Sequence, residues 1–227
     1  MTNYLFRGVV LLMLACSWPT QAHLRDVMVS QQEQQTVIVV EQELQGLRPE
    51  MLDWWWNNLG REGFFQRWNP QAHVAFQWLQ APASQEQLAV AVGAVQYITL
   101  NLGGVTLNSQ LRYLQPGARC VGDDHRLVAE LSFPGHEALG TGLVRYDYTN
   151  SGRGDGLLLR TTYSMPDGLA ELYPDYVQAL SAYVEASMVN LQTFLPDEFQ
   201  ALYVEDALLP WGSYEIVPSG WLTKKVI

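Results

Sequence analysis

The sequence predicts an α+β fold in which a curved antiparallel sheet wraps a long C-terminal helix. Three observations carry this. Five strand-like segments follow one another between residues 95 and 165, the last two flank the glycine-rich "SGRGDG", and a helical apolar period then runs from 174 to 195. Strands followed by one long helix are the order expected when a sheet closes over a helix rather than alternating with several.

In chain order, the first segment is set apart. Met1 to Arg7 carries one positive charge, "GVVLLMLACSW" is a short apolar core, and Pro19 and "TQA" follow. That is the layout of a secretory signal peptide cut after Ala22, so residues 1-22 are read as a signal and 23-227 as one domain. The apolar run is shorter than the roughly 20 residues a membrane-spanning helix needs, and no later stretch reads as a span. The expected location is therefore secreted or periplasmic. An alternative is a lipoprotein anchored at Cys16 in "MLAC", which the leucine before Ala15 fits poorly. Without the signal, Cys120 is the sole cysteine, so no internal disulfide staples the fold.

"SQQEQQ" at 30–35 reads as a solvated linker into the domain, and "TVIVVEQEL" at 36–44 as a strand. "RPEMLDWWWNNLG" reads as a helix, with Pro49 in its first turn, Glu50 and Asp53 at its positive end and Gly60 beyond its end. Leu52, Trp55, Trp56 and Leu59 share one side of it, which puts Trp54 at an edge. Expected strands are 95–102, 106–114, 125–133, 142–150 and 156–165, with a hairpin turn between the last two. Pro174 and Asp175 open the final helix, on which Leu180, Val184, Met188, Leu191 and Leu195 recur; Pro196 interrupts it, and "DEFQALYVED" adds a turn or two.

The formal charge is −10 and no basic stripe appears, which argues against nucleic acid as a partner. There is no Gly-x-Ser-x-Gly elbow and no Cys–His pairing around Cys120. His23, the expected mature N-terminus, has none of the sequence context of a copper-brace enzyme.

Several pieces together resemble the diacetylphloroglucinol (DAPG) hydrolase and phloretin hydrolase family, enzymes that split a carbon–carbon bond between an acyl group and a phenolic ring. They are "RPEMLDWWW", "RWNPQAH", the hairpin "LVRYDYTNSGRGDGLLLRTTYSMPDG" and "VNLQTFLP", in order from 49 to 196. The resemblance implies a helix-grip fold like Bet v 1 and START domains. It also implies a zinc held by two histidines and two glutamates. His73 matches the first histidine, but Leu100 stands where the first glutamate belongs, and Tyr183 and Ser187 stand where a His-x-x-x-Glu pair belongs. Leucine, tyrosine and serine do not make a zinc site, so no intact metal site and no cofactor are expected. Tyr183 and Ser187 lie four apart on one helical face and still offer hydrogen bonds.

The expected function is then the binding of a small apolar or phenolic ligand. The candidate ligand-binding residues are His73, Tyr183, Ser187, Trp55 and Trp68, and catalytic residues remain unassigned. One alternative is an active hydrolase that holds zinc with His73 and a relocated partner, His125 of "DDHR" or His136 of "GHEAL". Another is a structural or partner-binding envelope protein whose aromatics fill its core. Oligomeric state is not legible in the sequence.

Overall fold

The computed structural model describes residues 23–82, 92–115, 125–152, 156–204, 214–216 and 222–224. The expected signal segment, Cys120, and Asp123 and Asp124 beside His125 lie outside the described residues, as does part of the "SGRGDG" turn. The sheet strands are β1 (His23–Gln32), β2 (Gln35–Gln45), β3 (His73–Gln80), β4 (Val95–Leu102), β5 (Val105–Tyr113), β6 (His125–Ser132), β7 (Gly142–Asn150) and β8 (Gly156–Pro166). The helices are α1 (Pro49–Asn58), α2 (Phe64–Trp68), α3 (Gly168–Leu172) and α4 (Tyr176–Phe199), the last running into a π-helical turn at Gln200–Val204. Two short strands, Tyr214–Ile216 and Leu222–Lys224, pair with each other. No described helix is long and apolar enough to cross a membrane.

Eight strands form one antiparallel sheet in the order β1-β2-β8-β7-β6-β5-β4-β3, and α4 lies against β2 and β4. Alternation along each strand supplies the inner face: Leu107, Ser109, Leu111 and Tyr113 on β5, Val144, Tyr146 and Tyr148 on β7, and Leu159, Thr161, Tyr163 and Met165 on β8 are buried. Helix α4 returns Leu180, Tyr183, Val184, Ser187, Met188 and Leu191 toward them. This is the helix-grip layout the strand-then-helix order predicts.

Two local expectations are corrected. "SQQEQQ" is no linker: it forms the tip of the β1–β2 hairpin, with Glu33 at φ 55 in a two-residue turn and Gln32 opposite Gln35. β1 is largely exposed, its apolar Leu24, Val27, Met28 and Val29 included, so it lacks the alternation that reveals a half-buried strand. Trp54 is not at an edge, because all three consecutive tryptophans are buried. Helix α1 is covered on two sides. Trp56 meets Tyr146 of the sheet at 4.9 Å between ring centroids, while Trp54 packs on Phe64 at 6.2 Å and Phe199 at 5.8 Å.

The same aromatic layer carries α4 through Pro196. A proline inside a helix costs about 3 kcal/mol through its lost N–H bond and ring clash, yet Phe194, Leu195 and Phe199 on both sides of it are buried. Phe194 lies edge-on to Trp55 at 5.4 Å. Burial of those rings outweighs the break, so Pro196 sits within the helix instead of ending it.

Candidate functional site

Of the expected site residues, His73, Leu100, Tyr183 and Ser187 converge. His73 opens β3 opposite Leu100 on β4. Its Nδ1 lies 2.5 Å from the carbonyl oxygen of Phe65, and its Nε2 lies 2.8 Å from the Tyr183 hydroxyl. A carbonyl only accepts, so Nδ1 carries the hydrogen; Nε2 then accepts from the phenol. The ring is sandwiched as well, stacked on Phe65 at 3.9 Å and 6°. Burial, partly offset by the Phe65 bond, lowers its pKa to about 4, so at neutral pH it is an uncharged imidazole with both nitrogens engaged. Burial likewise pushes the Tyr183 phenol well above its usual range.

Ser187 closes the latch from α4. Its Oγ accepts from Asn69 Nδ2 at 2.9 Å and donates to the Tyr183 carbonyl at 2.7 Å. One turn on, Asn190 Nδ2 donates to the carbonyls of Arg67 and Trp68 at 2.7 and 2.9 Å, which satisfies the end of α2. The segment "RWNPQAH" and the helix segment "VNL" therefore belong together for a structural reason: α4 pins the α2–β3 connection.

Trp55 is fully buried between α2 and α4, stacked on Phe64 at 5.2 Å and edge-on to Trp68 at 6.2 Å, and it lines neither interior cavity described below. Trp68 does line the inner one. His125 is engaged by a carboxylate of α1. Its Nδ1 donates to Asp53 Oδ2 at 2.7 Å, while the Tyr148 hydroxyl donates to Asp53 Oδ1, tying α1 to β6 and β7. Burial raises the Asp53 pKa against the pull of these two partners. His136 stands at the start of a single 3₁₀ turn. Among the described residues no three His, Cys, Asp or Glu side chains come together to hold a metal ion.

The enclosed space runs along the axis of the grip, and Tyr183 of the latch borders its inner end. A mouth cavity of about 170 Å³ sits between the β4–β5 turn, the end of β8 and the α3–α4 junction, lined by Val105, Leu169, Leu172, Tyr173 and Ala179 among others. The turn is Gly103–Gly104, both at positive φ (61° and 92°), where glycine bears no Cβ penalty. A Cβ at Gly103 would come within 3.7 Å of Ala179. An inner cavity of about 40 Å³ continues beneath, and Leu102, Leu107, Met165 and Leu180 border both.

The inner end mixes apolar side chains with Gln96, Ser109, Tyr113, Tyr146, Tyr163 and Tyr183, and no charged side chain borders it. Tyr113 donates to Gln96 Oε1 at 3.1 Å and Tyr146 and Tyr163 share a bond at 3.2 Å. Burial raises all four phenols, so they are neutral donors at any ordinary pH. Sequence reasoning missed Ser109, Tyr113, Tyr146, Tyr163 and the mouth residues. The period-two alternation in "TLNSQLRYL" and "LVRYDYTN" was the available signal for the first three.

No family model matches the chain, and no curated protein matches it. Among solved structures it is similar to Ara h 8.0201 at 13% identity over 71% of this chain and 99% of that one, with a TM-score of 0.46. It is also similar to truncated norcoclaurine synthase from Thalictrum flavum, at 12% identity over 73% and 98% with TM-score 0.45. For major latex-like protein 151 from Panax ginseng the figures are 9% identity, 69% and 99%, and 0.44. Similarity at this level carries no functional argument. The resemblance to the DAPG hydrolase family is overturned: no sequence match supports it, and the structural neighbours are these other proteins. Two of the shared-looking motifs, "RWNPQAH" and "VNLQTFLP", meet in the α2–α4 latch.

Proposed function

We propose that the chain is an exported binding protein for a small, neutral, largely apolar molecule, which enters at the mouth and is held between the sheet and α4. The observation that carries this is the cavity that narrows from a largely apolar mouth, with Asp175 its one charged lining residue, to a polar inner end lined by no charged side chain. Engineered apolar cavities near 150 Å³ bind benzene, so the mouth suits a single-ring body. No metal, cofactor or catalytic step is part of this reading, since the buried imidazole has no free nitrogen to act as base or ligand.

Isothermal titration with isopropylbenzene tests the reading. One molecule is expected to bind per chain, with affinity reduced at least tenfold by Ala179→Trp, which fills the mouth. Absence of binding, or equal binding by the variant, overturns it. Export is tested by N-terminal sequencing of the protein from the extracellular or periplasmic fraction, where His23 is the expected first residue. A chain retained in the cytosol with Met1 overturns export, and a lipidated Cys16 at the N-terminus replaces the soluble form with an anchored one.

One observation favours a second reading, a partner-binding envelope protein. The outer edge of β1 pairs with no described strand and exposes Leu24, Val27, Met28 and Val29. Sedimentation equilibrium decides this: a monomer up to high concentration, with no β1-dependent association, removes it.

A further inference from the structure

We infer that the inner end of the cavity recognises a neutral hydrogen-bond acceptor, a carbonyl or ether oxygen carried on the single-ring body; this rests on the binding reading above. Charge is the first constraint. None of the side chains around the inner cavity is ionisable at neutral pH, the phenols being held protonated. A carboxylate or ammonium group would be stripped of water there with no counter-charge to meet it.

The balance of donors and acceptors is the second. The Tyr183 hydrogen is given to His73 and the Tyr113 hydrogen to Gln96. Tyr146 and Tyr163 share a single bond, so one of their two hydrogens has no acceptor in that pair. Ser109 Oγ and Trp68 Nε1 are buried without a hydrogen-bond partner in the protein, and both side chains border the inner cavity. Ser109 points inward by register, in the same alternation as Leu107, Leu111 and Tyr113. An indole N–H can only donate. Hydrogens without an acceptor therefore stand at the wall on the Trp68 indole and on one phenol of the Tyr146–Tyr163 pair, where a ligand lone pair can meet them. A hydroxyl ligand adds another hydrogen, whereas a carbonyl brings lone pairs alone.

The test compares acetophenone with α-methylstyrene, which has nearly the same shape but a methylene in place of the carbonyl oxygen. Water holds the ketone more strongly, so a cavity that ignored the oxygen would favour the hydrocarbon. The expected result is that acetophenone binds at least as tightly, and that its carbonyl stretch shifts to lower wavenumber than in hexane when bound. Ser109→Ala and Trp68→Phe are each expected to weaken acetophenone about fivefold while leaving α-methylstyrene within twofold. Benzoate should not bind. If α-methylstyrene binds but the ketone is weaker, unshifted in the infrared and insensitive to both substitutions, the acceptor inference falls while the cavity reading stands. If neither compound binds, the cavity reading itself falls. The infrared measurement on the unmodified protein decides the matter even where Trp68→Phe disturbs folding.

Discussion

Protonation of His73 should make the fold acid-sensitive in a defined window. The imidazole is held neutral between the Phe65 carbonyl and the Tyr183 hydroxyl, with a folded pKa of about 4 against 6.5 in the unfolded chain. Above pH 6.5 neither state binds the proton and the full stability is present. As pH falls below 6.5 the unfolded chain is protonated first, so stability declines by up to about 1.4 kcal/mol per pH unit, levelling once the folded pKa is passed. From pH 7.5 to 4.5 the loss from this group comes to about 2.5 kcal/mol. Asp53, whose folded pKa is raised, acts in the opposite sense: its contribution is larger at low pH and is lost as pH rises. The two are separated by measuring urea unfolding of the wild type and His73→Gln across the range and taking the difference. The wild-type advantage should shrink by about 2.5 kcal/mol, and the His73 ring should show the Nδ1–H tautomer by ¹⁵N NMR. Parallel stability curves, or a ring titrating at 6.5 or above, would refute a neutral, doubly bonded imidazole.

Three other substitutions probe the framework. Tyr183→Phe leaves the buried His73 Nε2 without a donor and should cost about 1–3 kcal/mol in urea melts, with the loss coupled to His73 in a double-mutant cycle. Asp53→Ala removes the acceptor of the buried Tyr148 hydroxyl, at about 2 kcal/mol. Gly60→Ala would place a Cβ 2.3 Å from Trp78 Nε1. Overpacking of that kind should lower stability by about 1–3 kcal/mol, which Trp78→Leu should partly relieve.

What the sequence discloses follows from how regular the local physics is. Strands β4 to β8 and helix α4 are legible because alternation or the 3.6 period marks a buried face in each, whereas α1 is legible from its end signals, Pro49 and Gly60. β1 escapes because an exposed edge strand has no buried face to mark. β3 escaped for a related reason: it is an edge strand with Val74 and Leu79 exposed. Trp54 departs from the edge position of a single amphipathic stripe because α1 is covered by the sheet on one side and by Phe64 and Phe199 on another. His73, Tyr183 and Ser187 were singled out together and do converge, but as a latch between α2 and α4. The cavity wall was the least legible part. Its mouth draws single residues from the β4–β5 turn, β8, α3 and α4, and no spacing along the chain announces that meeting.

The central claim, that a small neutral molecule occupies the space between sheet and helix, is tested most directly by methyl NMR during titration with isopropylbenzene. Leu102, Leu107, Met165 and Leu180 border both the mouth and the inner cavity, so their methyl signals should shift together and show contacts to the ligand protons. Unmoved methyl signals at these four residues, with shifts confined to Val27 and Val29 of the β1 edge or absent altogether, would contradict it.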